Sequence, residues 1–129
     1  MRKAIFLMAG ILCLSFSTAF SGLYTGTYRS VTTDSQTNQV YTGKVIIERC
    51  GRNYRLTWKE DNRTILTGIG VLNGSVLSVA FTDPAGTQRG VMSYRLGFWF
   101  DSELEGTWAY FDDRGTGTER LTYLNSYLD

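Results

Sequence analysis

At 129 residues, with no histidine, one proline and two cysteines, the chain has room for one domain and lacks the commonest general base and zinc ligand. Thirteen basic residues stand against twelve acidic ones, a formal charge of +1. No basic block exists to grip nucleic-acid phosphates or an anionic membrane surface.

Residues 1–19 read as a secretory signal peptide. Arg2 and Lys3 open it, residues 4–16 are almost wholly apolar, and Ser17-Thr18-Ala19 offers small residues to a peptidase. Cleavage is expected after Ala19, or else after Ser21, leaving a single domain over residues 20–129. The apolar run is short for a membrane span, and none is expected in the mature chain. Its removal takes away two positive charges, so the remainder carries a net charge of −1. Such a protein works as a secreted, periplasmic or cell-surface molecule. Cys13 leaves with the signal, and Cys50 remains as a lone thiol, either quiet or linking two chains as a dimer.

The rest of the chain alternates apolar and polar residues over short stretches broken by turn residues, the pattern of strands. Strand one is expected at 23–31, with Tyr24, Gly26 and Tyr28 on one face. Strand two, 40–49, sets Tyr41, Gly43, Val45 and Ile47 together, and strand three, 53–59, sets Tyr54, Leu56 and Trp58 together. Strand four, 63–71, carries Leu66, Gly68 and Gly70 opposite Ile65, Thr67 and Ile69. Strand five, 75–82, aligns Leu77, Val79 and Phe81; strand six, 89–96, aligns Gly90, Met92, Tyr94 and Leu96. Strand seven, 103–111, aligns Leu104, Gly106, Trp108 and Tyr110. Strand eight, 116–123, aligns Gly117, Glu119, Leu121 and Tyr123. Asn73-Gly74 is the strongest hairpin signal, since both residues tolerate the positive φ of a type I′ turn. The stretch 32–39 reads as a long polar connection.

Eight short strands with short connections form an antiparallel up-and-down meander. Closing it into a small all-β barrel removes both edges, and a β-sandwich is the alternative. Glycines on the apolar faces (Gly26, Gly43, Gly68, Gly90, Gly106, Gly117) suit the bends that a small barrel needs.

No nucleophile–base set stands out, so an enzyme is not expected, nor a cofactor, nor a metal site. Ser75, Ser78 and Ser93 have no base beside them. Asp112-Asp113 lacks calcium-loop spacing. Alternation puts Glu119 on the apolar face, where it is expected to pair with an inward arginine and close the barrel end, with no second inward carboxylate to make a glycosidase pair. Phe98, Trp99 and Phe100 are three consecutive aromatics at a hairpin tip. They are expected either to anchor a partner or to lie as a lid over the barrel mouth. Tyr28, Tyr41, Tyr54, Trp58, Tyr94 and Trp108 face inward, and either line a pocket or fill a solid core.

The run Gly68-Ile69-Gly70, Leu77-Ser78-Val79-Ala80-Phe81, Gly90-Val91-Met92-Ser93-Tyr94-Arg95, Leu104-Glu105-Gly106-Thr107-Trp108 and Gly115-Thr116-Gly117-Thr118-Glu119-Arg120-Leu121-Thr122 resembles small secreted bacterial proteins labelled fibronectin-binding. The resemblance implies an adhesion role and brings no binding residues with it. In outline the meander is also similar to avidin-like and lipocalin-like barrels, although the early G-x-W of lipocalins is missing. Two functional expectations follow. One is a secreted, non-enzymatic binding protein that engages an extracellular macromolecule such as fibronectin. The other is a carrier of a small hydrophobic ligand inside the barrel.

Overall fold

The computed structural model describes residues 25–96, 103–112 and 115–125. Among these, eight strands follow one another: β1 (Gly26–Asp34), β2 (Val40–Cys50), β3 (Asn53–Glu60), β4 (Arg63–Asn73), β5 (Val76–Thr82), β6 (Arg89–Leu96), β7 (Glu103–Tyr110) and β8 (Thr116–Asn125). Each is antiparallel to the next, and β1 pairs with β8, so the meander closes into a barrel. Closure leaves no edge exposed and rules out the sandwich. No helix among the described residues is long and apolar enough to cross a membrane.

Alternation decides which side chains are inside. β3 buries Tyr54, Leu56 and Trp58 while exposing Arg55; β5 buries Leu77, Val79 and Phe81 while exposing Ser78 and Ala80. Seven of the eight strands lie within two residues of the segments read from the sequence. β1 is the exception: it runs three residues past its expected end, to Asp34, while Leu23 and Tyr24 lie outside the described residues. Thr32, Thr33 and Asp34, read as part of a polar connection, are paired with both β2 and β8 or with β8 alone. The connection is then a tight turn over residues 35–39, in which Asp34 Oδ1 accepts from the backbone N–H of Gln36 and Thr37 at 2.8 and 3.2 Å.

The β4–β5 turn also departs from expectation. Its loop residues are Gly74-Ser75, because Asn73 pairs with Val76, and only Gly74 has a positive φ (65°). That is the pattern of a type II′ turn rather than a type I′ turn. Positive φ at both loop positions occurs instead at Asp61 (52°) and Asn62 (65°), between β3 and β4.

Gly68, Gly90, Gly106 and Gly117 are covered by rings from the neighbouring strand. Gly106 pairs with Tyr94 and Gly117 with Trp108. A Cβ on Gly106 would sit 2.7 Å from Tyr94 Cδ1, and one on Gly117 would strike the Trp108 ring and the Thr33 carbonyl. The ring occupies the space that a side chain would need, so the strands can curve tightly around it.

Cys50 is half-buried at the end of β2, and nothing among the described residues supports a dimer through it.

Candidate ligand cavity

The two ends of the barrel differ. Toward the turns at 51–52 and 74–75, Leu56, Leu77, Leu104 and Leu121 are fully buried and pack with Ile47, Tyr28 and Tyr54. This half is solid. Toward the turns at 35–39, 61–62, 83–88 and 111–115, the interior opens into a cavity of about 350 Å³.

Its walls are Trp58, Phe81, Met92, Trp108 and Tyr110, with Ile65 and Leu66 on one side. The rings touch in sequence: Trp58–Phe81 centroids are 5.9 Å apart, Phe81–Tyr110 5.9 Å and Trp108–Tyr110 5.5 Å, each pair tilted or edge-on. Such pairs add about 0.5–1.5 kcal/mol each beyond their burial. Trp108 is pinned further, its Nε1–H donating to the Thr118 carbonyl at 3.2 Å. Ile65 and Leu66 both reach the cavity because β4 carries an extra residue there: Trp58 pairs with Leu66, but Lys59 pairs with Thr64. A bulge of this kind breaks strict alternation and turns two successive side chains toward one place.

Glu119 lies at the cavity floor, only 3% exposed. Its Oε2 accepts from Ser30 Oγ at 2.5 Å, Thr32 Oγ1 at 2.9 Å and Trp58 Nε1 at 3.2 Å, while its Oε1 accepts from the Tyr94 hydroxyl. The donors come from β1, β3 and β6, so the carboxylate on β8 ties distant strands together across the interior. Among the described residues no arginine pairs with it. Neutral O–H and N–H groups surround the carboxylate instead, so both of its oxygens are satisfied as acceptors. Burial pushes the Tyr94 phenol well above its ordinary pKa, and the neighbouring Glu119 adds to the shift; the Trp58 contact opposes it.

The rim carries Asp34, Glu60, Lys44, Lys59 and Tyr41. Asp34 and Glu60 are thus further carboxylates at the cavity, which the sequence reading did not find. A larger concavity of about 640 Å³ runs along the outer wall past Val31, Ser93, Arg95, Glu105 and Arg120. Its side chains are those of a solvated face and do not converge on a point, so the interior cavity is the stronger candidate.

The chain shares its fold with designed β-barrels. A redesigned β-barrel is 17% identical with a TM-score of 0.67, over 85% of this chain and 100% of the design. A de novo designed fluorescence-activating β-barrel is 14% identical with a TM-score of 0.60, over 84% of this chain and 100% of the design. At these identities the likeness concerns the fold alone. No family model and no curated protein matches the chain.

Of the residues expected to line a pocket, Trp58 and Trp108 do. Tyr94 sits beneath Glu119, while Tyr28 and Tyr54 are buried in the solid half. Tyr41 stands at the rim, 49% exposed, its hydroxyl donating to Gln39 Oε1. Phe98, Trp99 and Phe100 lie outside the described residues. The flanking strand ends, Leu96 and Glu103, belong to the end of the barrel opposite the cavity. The sequence reading missed Ser30 and Thr32, although their spacing from Tyr28 already places them on its face.

Proposed function

We propose that this protein is a non-enzymatic binding barrel that takes one small, largely apolar molecule into the cavity above Glu119. The observation that carries the reading is the asymmetry of the interior. One half is packed with leucine and tyrosine, and the other holds about 350 Å³ of space walled by four aromatic rings and open at one end. Volumes of this size, with apolar walls and a few convergent polar groups, are typical of small-molecule sites. Binding rather than turnover is favoured because the one deeply buried carboxylate is fully engaged by four donors. A general acid or base needs a free reach to its substrate. Reading residues 1–19 as an export signal places this binding outside the cytoplasm, and the N-terminal sequence of the exported protein tests that part. The macromolecular, fibronectin-like alternative rested on Phe98, Trp99 and Phe100, which lie outside the described residues.

The test is titration with a naphthalene dye whose emission rises in apolar surroundings. The expected result is saturable one-to-one binding that is lost in Leu66→Trp, which puts an indole into the cavity from its half-buried rim. Equal dye binding by that variant, with its fold intact, refutes the reading.

A further inference from the structure

Resting on that cavity reading, we infer that the site selects a small organic cation over a neutral or anionic molecule of the same skeleton. The first ground is charge. The cavity is lined by three carboxylates, Asp34, Glu60 and Glu119, against two ammonium groups, Lys44 and Lys59, leaving one net negative charge. The rim charges balance and are wetted, whereas Glu119 is deep. Among the described residues no Lys or Arg forms an ion pair with it; the pair between Arg120 and Glu105 lies on the outer wall. Hydrogen bonds from neutral donors spread the carboxylate's charge but do not cancel it. Its field therefore extends into a space walled largely by apolar rings, where screening is weaker than in bulk water.

The second ground is the wall. Trp58, Phe81, Trp108 and Tyr110 ring the same cavity. Aromatic rings that turn a face toward a cavity attract cations through their quadrupoles, and most strongly those with a diffuse, weakly hydrated charge such as alkylammonium groups. The carboxylate below and the rings around favour the same sign. An anion meets the opposite on both counts, and a neutral molecule gains only the apolar contact.

The experiment compares three probes on the intact barrel: a naphthyl trimethylammonium, its neutral tert-butyl isostere and the corresponding naphthalene sulfonate. The expected order has the cation at least tenfold tighter than the neutral probe and the sulfonate weakest. Glu119→Gln should erase most of the cation's advantage while the neutral probe keeps its affinity. Because that variant can lose stability, Tyr110→Leu serves beside it; it keeps an apolar wall, and the cation should weaken several-fold while the neutral probe changes little. If all three probes bind the unmodified protein equally, the cation inference fails and the cavity reading stands. If none binds, both fail.

Discussion

Tyr94→Phe deletes a single oxygen at the point where the interior polar cluster is driest. Tyr94 is fully buried, and its hydroxyl is the donor to Glu119 Oε1 that lies deepest in the barrel. Phenylalanine fills nearly the same volume, so the loss is that of the hydrogen bond and little else. A bond to a charged acceptor contributes about 1.5–3 kcal/mol, and the deprived carboxylate oxygen keeps only the long contact with Trp58 Nε1 at 3.4 Å. The expected cost is therefore about 2–3 kcal/mol. Tyr41→Phe is the internal control: the same atom is removed, but from an exposed hydroxyl that donates to Gln39, and the expected cost is below about 0.5 kcal/mol. Urea unfolding followed by far-UV circular dichroism measures both, with unchanged m-values required for the comparison. A Tyr94→Phe cost no larger than that of Tyr41→Phe would show that the cluster does not hold the strands together, and the account of Glu119 as the interior tie would be wrong.

Three further outcomes are expected. Because the Tyr94 phenol is raised in the folded barrel, its contribution is fully present below the ordinary tyrosine pKa near 10; above that the unfolded chain ionises first, so stability falls as pH climbs toward the folded value. Alkaline urea titrations should display this fall in the native protein and lose most of it in Tyr94→Phe. Gly117→Ala should cost more than Gly74→Ala by thermal melting. The first drives a methyl into the Thr33 carbonyl and the Trp108 ring, at about 1–3 kcal/mol or more, while the second meets open space and bears only the left-handed backbone penalty of about 1–2 kcal/mol. Leu56→Ala in the solid half should cost about 2–5 kcal/mol, whereas Leu66→Ala beside the cavity should cost less than half as much; equal losses would contradict the hollow-and-solid division.

Much of the barrel was legible because its strands obey one local rule. Tyr54, Leu56 and Trp58 alternate with Arg55, Thr57 and Lys59, and both the span and the buried face follow from that alone. β1 was ended too early because its inward face is polar over half its length. Ser30 and Thr32 point inside to reach Glu119, so the apolar signal stops at Tyr28 although the strand does not. Glu119 itself was placed inside by spacing, yet its partners were not legible. They arrive from β1, β3 and β6 only when β8 closes on β1, and no local pattern encodes that. Nor does alternation say which end is hollow. That depends on leucines stacking in one half and on the bulge at Ile65 splaying the wall in the other. The turn at Gly74-Ser75 teaches the same lesson on a smaller scale, since Asn73-Gly74 has the right residues for a type I′ turn but the pairing of Asn73 with Val76 moves the loop by one position.

The most direct test is a crystal structure of the barrel grown with the naphthyl trimethylammonium probe. Density for the probe between Trp58, Phe81 and Trp108, with its charged group toward Glu119, is the predicted result. A cavity closed by its own side chains, with the probe absent or lying on the outer wall, would contradict it.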